Sequence, residues 1–247
     1  MNLDRVIAVR NNKTIFRDGD RCIKVFNPGH SKSEIFSEAL NQARMEELGL
    51  NVPKLLEVTT IDGKWGIVSE YVKGKTLAML MEERPQDVCR HLELLAELQK
   101  DLHKRECVVL RDLKERMKRD ILSSELESDT KLRILSDLDG VTSEMSVCHC
   151  DLEPSNVIIS KSGTPYLIDW ACSAAGDRHI DVAYTYLLLH LKRNEREADL
   201  FLDISCQGSG SLKEAVLKTV PIVAASALCR GNERERMFFS KWLEPRH

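Results

Sequence analysis

Short β-prone apolar runs, broken by polar turns, fill the first 72 positions around a single helical segment. "RVIAV" from Arg5, "KTIFR" from Lys13 and "CIKVF" from Cys22 read as three strands, with Asp18-Gly19-Asp20 as one of the turns. "SKSEIFSEALNQARMEELG" then predicts a helix. It opens on Ser31 with Glu34 in capping-box spacing and closes on Gly49. Its apolar positions Ile35, Phe36, Leu40, Ala43 and Leu48 predict one broad buried face. "PKLLEVTTIDGKWGIVSEYV" predicts a hairpin turning at Asp62-Gly63.

After Val72 the period changes. Val88, Leu92, Leu95, Leu98 and Leu102 recur at spacings of three and four, one buried helical stripe. "KLRILSDL", "HIDVAYTYLLLHLKR", "READLFLDI", "LKEAVLKTVPIVAASALC" and "ERERMFFSKWL" continue in the same manner. The exception is a β-flavoured island at 147–169. The pattern predicts an α+β protein of two lobes, a small strand-rich one at 1–72 with one helix and a larger, mainly helical one at 73–247.

Composition removes some function classes. The 247 residues suffice for a sizeable core, and 36 basic against 39 acidic side chains leave a net charge of -3. No overall field therefore calls for nucleic acid or an anionic membrane as a partner. No apolar run approaches the length of a membrane span and no secretory leader is evident, which predicts a cytoplasmic protein. The eight cysteines never form C-x-x-C and are expected to be reduced, mostly core residues.

The chemistry concentrates in "VCHCDLEPSN", residues 147–156. A metal–thiolate site is the first candidate. Strand alternation, however, sets Cys148 and Cys150 on one face and His149 on the other, and no second ligand pair exists for structural zinc. The stronger reading starts downstream, where "VIIS" and "PYLI" flank the turn "KSGT". Pairing residue 160 with 165 brings Asn156 opposite Asp169. An amide oxygen and a carboxylate at one hairpin end, with Asp151 five residues before Asn156, suit Mg2+ held against phosphate oxygens.

These residues carry a family resemblance. "HCDLEPSN" resembles the H-x-D-x-x-x-x-N catalytic loop of the protein-kinase-like fold, and "LIDW" resembles its metal-binding aspartate segment. The match is nearest to the aminoglycoside phosphotransferase and choline kinase family of small-molecule kinases, and it covers essentially the whole chain. "CIKVF" supplies Lys24, the following helix Glu38, "VSEYVKG" a hinge, and "GDRHIDVAYTYLL" a structural aspartate, Asp181.

The resemblance implies a bilobal protein-kinase-like fold, ATP or GTP and Mg2+ as cofactors, and a small-molecule hydroxyl acceptor. Asp151 would be the catalytic base, and Asn156 and Asp169 the metal ligands. Lys24 would meet the α and β phosphates and pair with Glu38, although Glu34, one turn away, is an alternative partner. Glu70 to Val72 would meet the adenine edge. His149 would brace the loop. His103 reads as a residue favoured by a helix C-terminus, and Trp65 and Tyr71 as core or adenine-pocket wall.

The departures are equally specific. "RNNKT" replaces the glycine-rich loop of protein kinases, so Asn11, Asn12 and Thr14 are the candidate phosphate donors. Glu153 stands where those kinases place a lysine, Cys150 replaces a usual glycine, and Trp170-Ala171 replaces a D-F-G ending. Asp177, Glu195, Glu197 and Asp199 are candidate acceptor ligands for an amino or ammonium group, with solvated helix faces the simpler account of the last three. A non-catalytic nucleotide-binding module and an atypical protein kinase remain the competing classes.

Overall fold

The computed structural model describes residues 5–10, 12–207 and 210–244, with the side chain of Ser211 excepted. The chain runs β1 (Arg5–Val9), β2 (Lys13–Asp18), β3 (Arg21–Phe26), α1 (Lys32–Glu47), β4 (Leu55–Ile61), β5 (Lys64–Glu70), β6 (Gly74–Thr76) and α2 (Leu77–Glu83). It continues α3 (Val88–His103), α4 (Leu113–Ser123), α5 (Ser128–Asp139), β7 (Ser146–Cys148), β8 (Val157–Ser160), β9 (Pro165–Leu167) and β10 (Ala174–Gly176). The helices α6 (Arg178–Lys192), α7 (Glu195–Ser205), α8 (Gly210–Ala227) and α9 (Glu233–Ser240) follow.

Two compact units result, Met1–Glu83 with Pro154–Cys172, and Arg84–Glu153 with Ser173–His247. The boundary read from the sequence at residue 72 does not coincide with this division. The hairpin β8–β9 joins the strand-rich unit because β8 pairs with β6, across Gly74↔Ser160 to Thr76↔Ile158. A Cβ at Gly74 would lie 2.1 Å from the Ile159 carbonyl oxygen, so only glycine admits that approach.

In the first unit the antiparallel sheet has the order β1-β2-β3-β5-β4. Asp62 (φ 49°) and Gly63 (φ 76°) form the expected left-handed hairpin turn. The pairings Lys13↔Phe26, Ile15↔Lys24 and Lys24↔Ile67 decide which side chains share a face. Lys13, Ile15 and Lys24 lie with Phe26 and Ile67. Ile23, Val25 and Val68 pack on the other face with Phe16 and Ile61.

Helix α1 covers the Lys24 face, where Phe26, Ile35, Ala39 and Ile67 form one cluster with Leu55, Val58 and Trp65 around it. Its buried residues are Ile35, Glu38, Ala39, Asn41, Gln42 and Met45. The purely apolar face expected from the sequence is not the one used: Phe36 and Leu40 are 44% and 51% exposed. Glu38, Asn41 and Gln42 turn inward because each has a polar partner there. The capping box does not form either, since Ser31 makes no side-chain cap and bonds to Ser33 at 2.8 Å.

The second unit is built around α6, whose Ile180, Ala183, Tyr184, Tyr186, Leu187 and Leu189 are all buried, the near all-round burial of a central helix. Helices α7 and α8 pack on α6, and α3 packs on α7. The two-stranded sheet β7–β10 pairs Cys148 with Ala174. Helix α4, not anticipated from its strongly charged sequence, is capped by Asp112 accepting from the Glu115 N–H at 2.8 Å. Among the described residues, no helix is long and apolar enough to cross a membrane.

Candidate active site

The first cluster lies within the strand-rich unit. Strand β3 turns Lys24 onto the face covered by α1, where its Nζ bonds to Glu38 and sits 3.3 Å from Asp169 Oδ1. The partner among the two candidate glutamates is thus Glu38; Glu34 faces His30 at 3.7 Å. One turn beyond Glu38, Asn41 donates to the Trp170 carbonyl at 3.1 Å. Helix α1 therefore grips both Lys24 and the Asp169 segment with polar residues on a single face. Trp170 is fully buried behind them and donates its Nε1–H to the Leu167 carbonyl at 3.3 Å.

The β8–β9 register differs by one from the expected pairing: Val157 opposes Leu167, and the Ile168 N–H donates to the Asn156 carbonyl at 3.0 Å. The turn is one residue shorter, closed by the Ser160 N–H on the Thr164 carbonyl, and Asn156 stands opposite Ile168 instead of Asp169. Asp169 then takes φ 69°, a left-handed conformation that only the surrounding contacts make acceptable for a non-glycine residue. That twist, not simple alternation, directs its carboxylate to the lysines.

Electrostatics in this cluster are mutual. Burial alone would raise the Asp169 pKa, but Lys24 and Lys13 outweigh it and hold the carboxyl well below the usual range. Burial would likewise lower the Lys24 ammonium's pKa, yet Asp169 and Glu38 hold it above the usual lysine value. Both groups are charged at neutral pH. A carboxylate already holding cations, one residue past the backbone partner of the buried Asn156 on the same hairpin, belongs with residues offering the hard oxygens that Mg2+ takes. Asn156 and Asp169 thus fit a magnesium ion in donor chemistry.

The second cluster surrounds the catalytic-loop candidate in the helical unit. Asp181 is fully buried: its Oδ1 accepts the Cys150 N–H at 2.6 Å, and its Oδ2 accepts Gln99 Nε2 and meets His103 Nε2, both at 2.8 Å. Burial would raise its pKa, but the His103 contact and the remaining hydrogen bonds lower it. His103 is accordingly an Asp181 partner, not merely a residue suited to a helix end. Cys150 has φ 58°, so glycine's usual presence there answers a real backbone demand. His149 is fully buried beside it.

Cys148 lies within 4.8 Å of His103 and Asp181, a trio of metal-ligand type. The Asp181 carboxylate is already shared by three donors, so these residues are explained as a hydrogen-bonded core. The thiol of Cys148 is pushed well above the ordinary value by its contact with Cys150 and by burial. All eight cysteines are free.

Glu153 is 8% exposed and bonds to Lys192 at 2.5 Å, from the last position of α6. Burial would lower the Lys192 pKa, but the charges of Glu153 and Asp151 raise it. A cation therefore reaches the Asp151 loop from forty residues downstream.

The expected acceptor ligands divide. Asp177 is the N-cap of α6, its carboxylate accepting the His179 N–H at 2.7 Å and meeting His179 Nδ1 at 2.9 Å. At 5% exposure it is a buried cap, engaged by its own helix. Glu195 and Asp199 line an open groove of about 710 Å³ with Asn194, Arg196, Leu200 and Asp203. Tyr186 donates to Asp199 at 3.1 Å, and the rings of His190 and Trp242 lie 4.7 Å and 5.8 Å from that of Tyr186.

The model of the phosphotransferase enzyme family, APH, matches residues 6–215. The chain belongs to that family. Several solved structures share its protein-kinase-like fold. Aminoglycoside phosphotransferase APH(4)-Ia is 13% identical, with a TM-score of 0.71 over 96% of this chain and 89% of that one. A choline/ethanolamine kinase family protein from Mesorhizobium loti is 16% identical, with 0.64 over 98% and 86%. Choline kinase LicA from Streptococcus pneumoniae is 16% identical, with 0.63 over 98% and 93%. A sequence comparison with curated proteins returns no match.

Within this APH-family chain, sequence reasoning missed Lys13 and Lys192. Lys13 Nζ lies 2.9 Å from both Asp169 oxygens. Thr14, a candidate phosphate donor, alternates to the opposite face opposite Val25, Asn12 is exposed before the strand, and Asn11 lies outside the described residues. The signal for Lys13 was present, since it stands at even spacing in the strand that pairs with Lys24's. Of the expected hinge residues, the Glu70 and Tyr71 N–H groups are bonded to the Lys54 and Asp20 carbonyls. Tyr71 stacks on Arg17 at 4.2 Å, and Trp65 meets Phe36 at 5.3 Å on the α1 side.

Proposed function

We propose that this phosphotransferase moves the γ-phosphate of ATP, or of GTP, to a hydroxyl of a small molecule such as an amino alcohol, an aminoglycoside or a sugar. The observation that carries the reading is the Lys24–Glu38–Asp169 cluster. One helix glutamate fixes a strand lysine beside a carboxylate held in its anionic form. The APH(4)-Ia and LicA structures include complexes with ADP and with AMP, which supports a nucleotide here.

Lys24 steadies the nucleotide phosphates, and Val72 offers a backbone donor to the base edge. Asn156 and Asp169 would hold magnesium, which when bound neutralises charge on the phosphates. Asp151 orients the acceptor hydroxyl and takes its proton. Asp181, through the Cys150 N–H, fixes the loop on which Asp151 stands. The acidic groove with Glu195, Asp199 and Asp203 favours an acceptor bearing an ammonium group.

The test is nucleotide consumption with magnesium against a panel of amino alcohols, sugars, aminoglycosides and thiamine. An acceptor giving turnover is expected, with Asp151→Asn slowing it about 10²- to 10⁴-fold, the usual contribution of a general base, and Lys24→Met about 10²- to 10³-fold as for a lost charge stabiliser. A folded protein that binds ATP and phosphorylates nothing across the panel is instead a non-catalytic nucleotide module; phosphopeptide products would make it a protein kinase.

A further inference from the structure

We propose, resting on the kinase reading above, that Lys13 is a second phosphate-binding cation of the nucleotide site, held on Asp169 until a metal–nucleotide complex displaces it. The segment Arg10 to Thr14 contains no glycine, the residue that lets a turn's backbone come close to a phosphate. A long side chain entering from the strand can supply the missing positive charge. Lys13 is the residue in position to do so.

Its placement is unusual for a lysine at the start of a strand. Pairing with Phe26 turns it to the face that carries Lys24, and only 7% of its surface is exposed. Both Asp169 oxygens accept from it at 2.9 Å, and its Nζ is 4.0 Å from Glu38 Oε1. A buried ammonium is costly unless paired, and the same residue facing solvent would avoid the cost altogether. Lys24 alone already gives Asp169 an ion pair. Lys13 is thus a second cation on a carboxylate that already has one.

The charge count gives it a use. The cluster holds two ammonium groups, Lys13 and Lys24, against two carboxylates, Glu38 and Asp169. A divalent cation taken by Asp169 repels both lysines. Lys24 retains Glu38, whereas Lys13 has a flexible four-carbon stem and, among the described residues, no other contact that close, so its charge moves to the phosphate oxygens arriving with the metal. No group is transferred; one ion pair is exchanged for another.

Titration calorimetry on the full chain tests this, comparing wild type with Lys13→Met, Lys13→Gln and Lys24→Met. The titrants are ATP, ADP, AMP and adenosine in the presence of Mg2+, and Mn2+ alone followed by the electron spin resonance of the free ion. The Lys13 variants are expected to bind ATP about tenfold to a hundredfold more weakly, as for loss of one charged hydrogen bond. They should bind adenosine unchanged and Mn2+ alone more tightly.

A lysine that only neutralises Asp169 would give tighter Mn2+ with ATP affinity unchanged, and that result overturns the proposal while leaving the kinase reading intact. Wild type that binds no nucleotide overturns both. Lys13→Gln keeps a hydrogen-bond donor on Asp169 and decides the matter if Lys13→Met fails to fold.

Discussion

Asp181→Asn perturbs one atom at the centre of the catalytic-loop cluster. Three donors converge on the wild-type carboxylate, the Cys150 N–H at 2.6 Å and the Nε2 groups of Gln99 and His103 at 2.8 Å. An asparagine has one oxygen and must turn its NH2 toward one side. With the oxygen on Cys150, the NH2 meets Gln99 and His103. His103 can change tautomer to accept, and Gln99 keeps the Asp181 carbonyl and Thr185 Oγ1, each at 3.0 Å.

The loss is then the charge on the Cys150 bond plus one donor facing another donor, about 2–4 kcal/mol in a buried setting. In a protein of 150–250 residues this lowers Tm by roughly 4–16 °C. Thermal melts followed by far-ultraviolet circular dichroism measure it. The sign with pH follows from the lowered Asp181 pKa: its stabilisation is fully present above the ordinary unfolded value, about 3.9, and is lost as pH falls from there through the folded value. The gap between wild type and variant should therefore narrow only below about pH 4. A variant melting within 1 °C of wild type (roughly 0.5 kcal/mol or less) at pH 7 would refute the anchoring role.

Two further outcomes are expected. Cys150→Gly should leave stability within about 1 kcal/mol of wild type, because relief of the φ 58° conformation offsets the lost buried side chain; Cys148→Gly, on an ordinary strand, should cost clearly more in the same melt. A double-mutant cycle of Glu153→Gln and Lys192→Met in urea should give a coupling near 1 kcal/mol, not the larger value of a buried pair, since the Lys192 side chain is 38% exposed. A coupling of 3 kcal/mol would mean that the pair is far drier than its exposure implies.

How much was legible in advance is visible residue by residue. The three opening strands, the hairpin at Asp62-Gly63 and the helix ending at Gly49 are local: turn chemistry and apolar runs decide them before any tertiary contact forms. Lys24, Glu38 and Asp169 were also readable, because a lysine inside an apolar strand needs an anion and the helix that follows supplies one. The packing of α1 was not. Its inward face carries Glu38, Asn41 and Gln42, and a rule that buries only apolar residues points to Phe36 and Leu40 instead.

The remaining differences have a common cause. The β8–β9 register turned on a turn shorter by a single residue, and a slip of one position exchanges the two faces of a strand; the left-handed Asp169 then restores by backbone twist what alternation alone would have lost. Lys192 meets Glu153 across thirty-nine positions, and Lys13 meets Asp169 across 156. The sequence by itself determined most of the strand and helix inventory, though not α4, together with the family and the reactive residue types, since these depend on neighbours in the chain. Only the tertiary structure decided which cations stand beside which carboxylates, because Coulomb interactions between distant positions exist only once packing has brought them within a few ångströms.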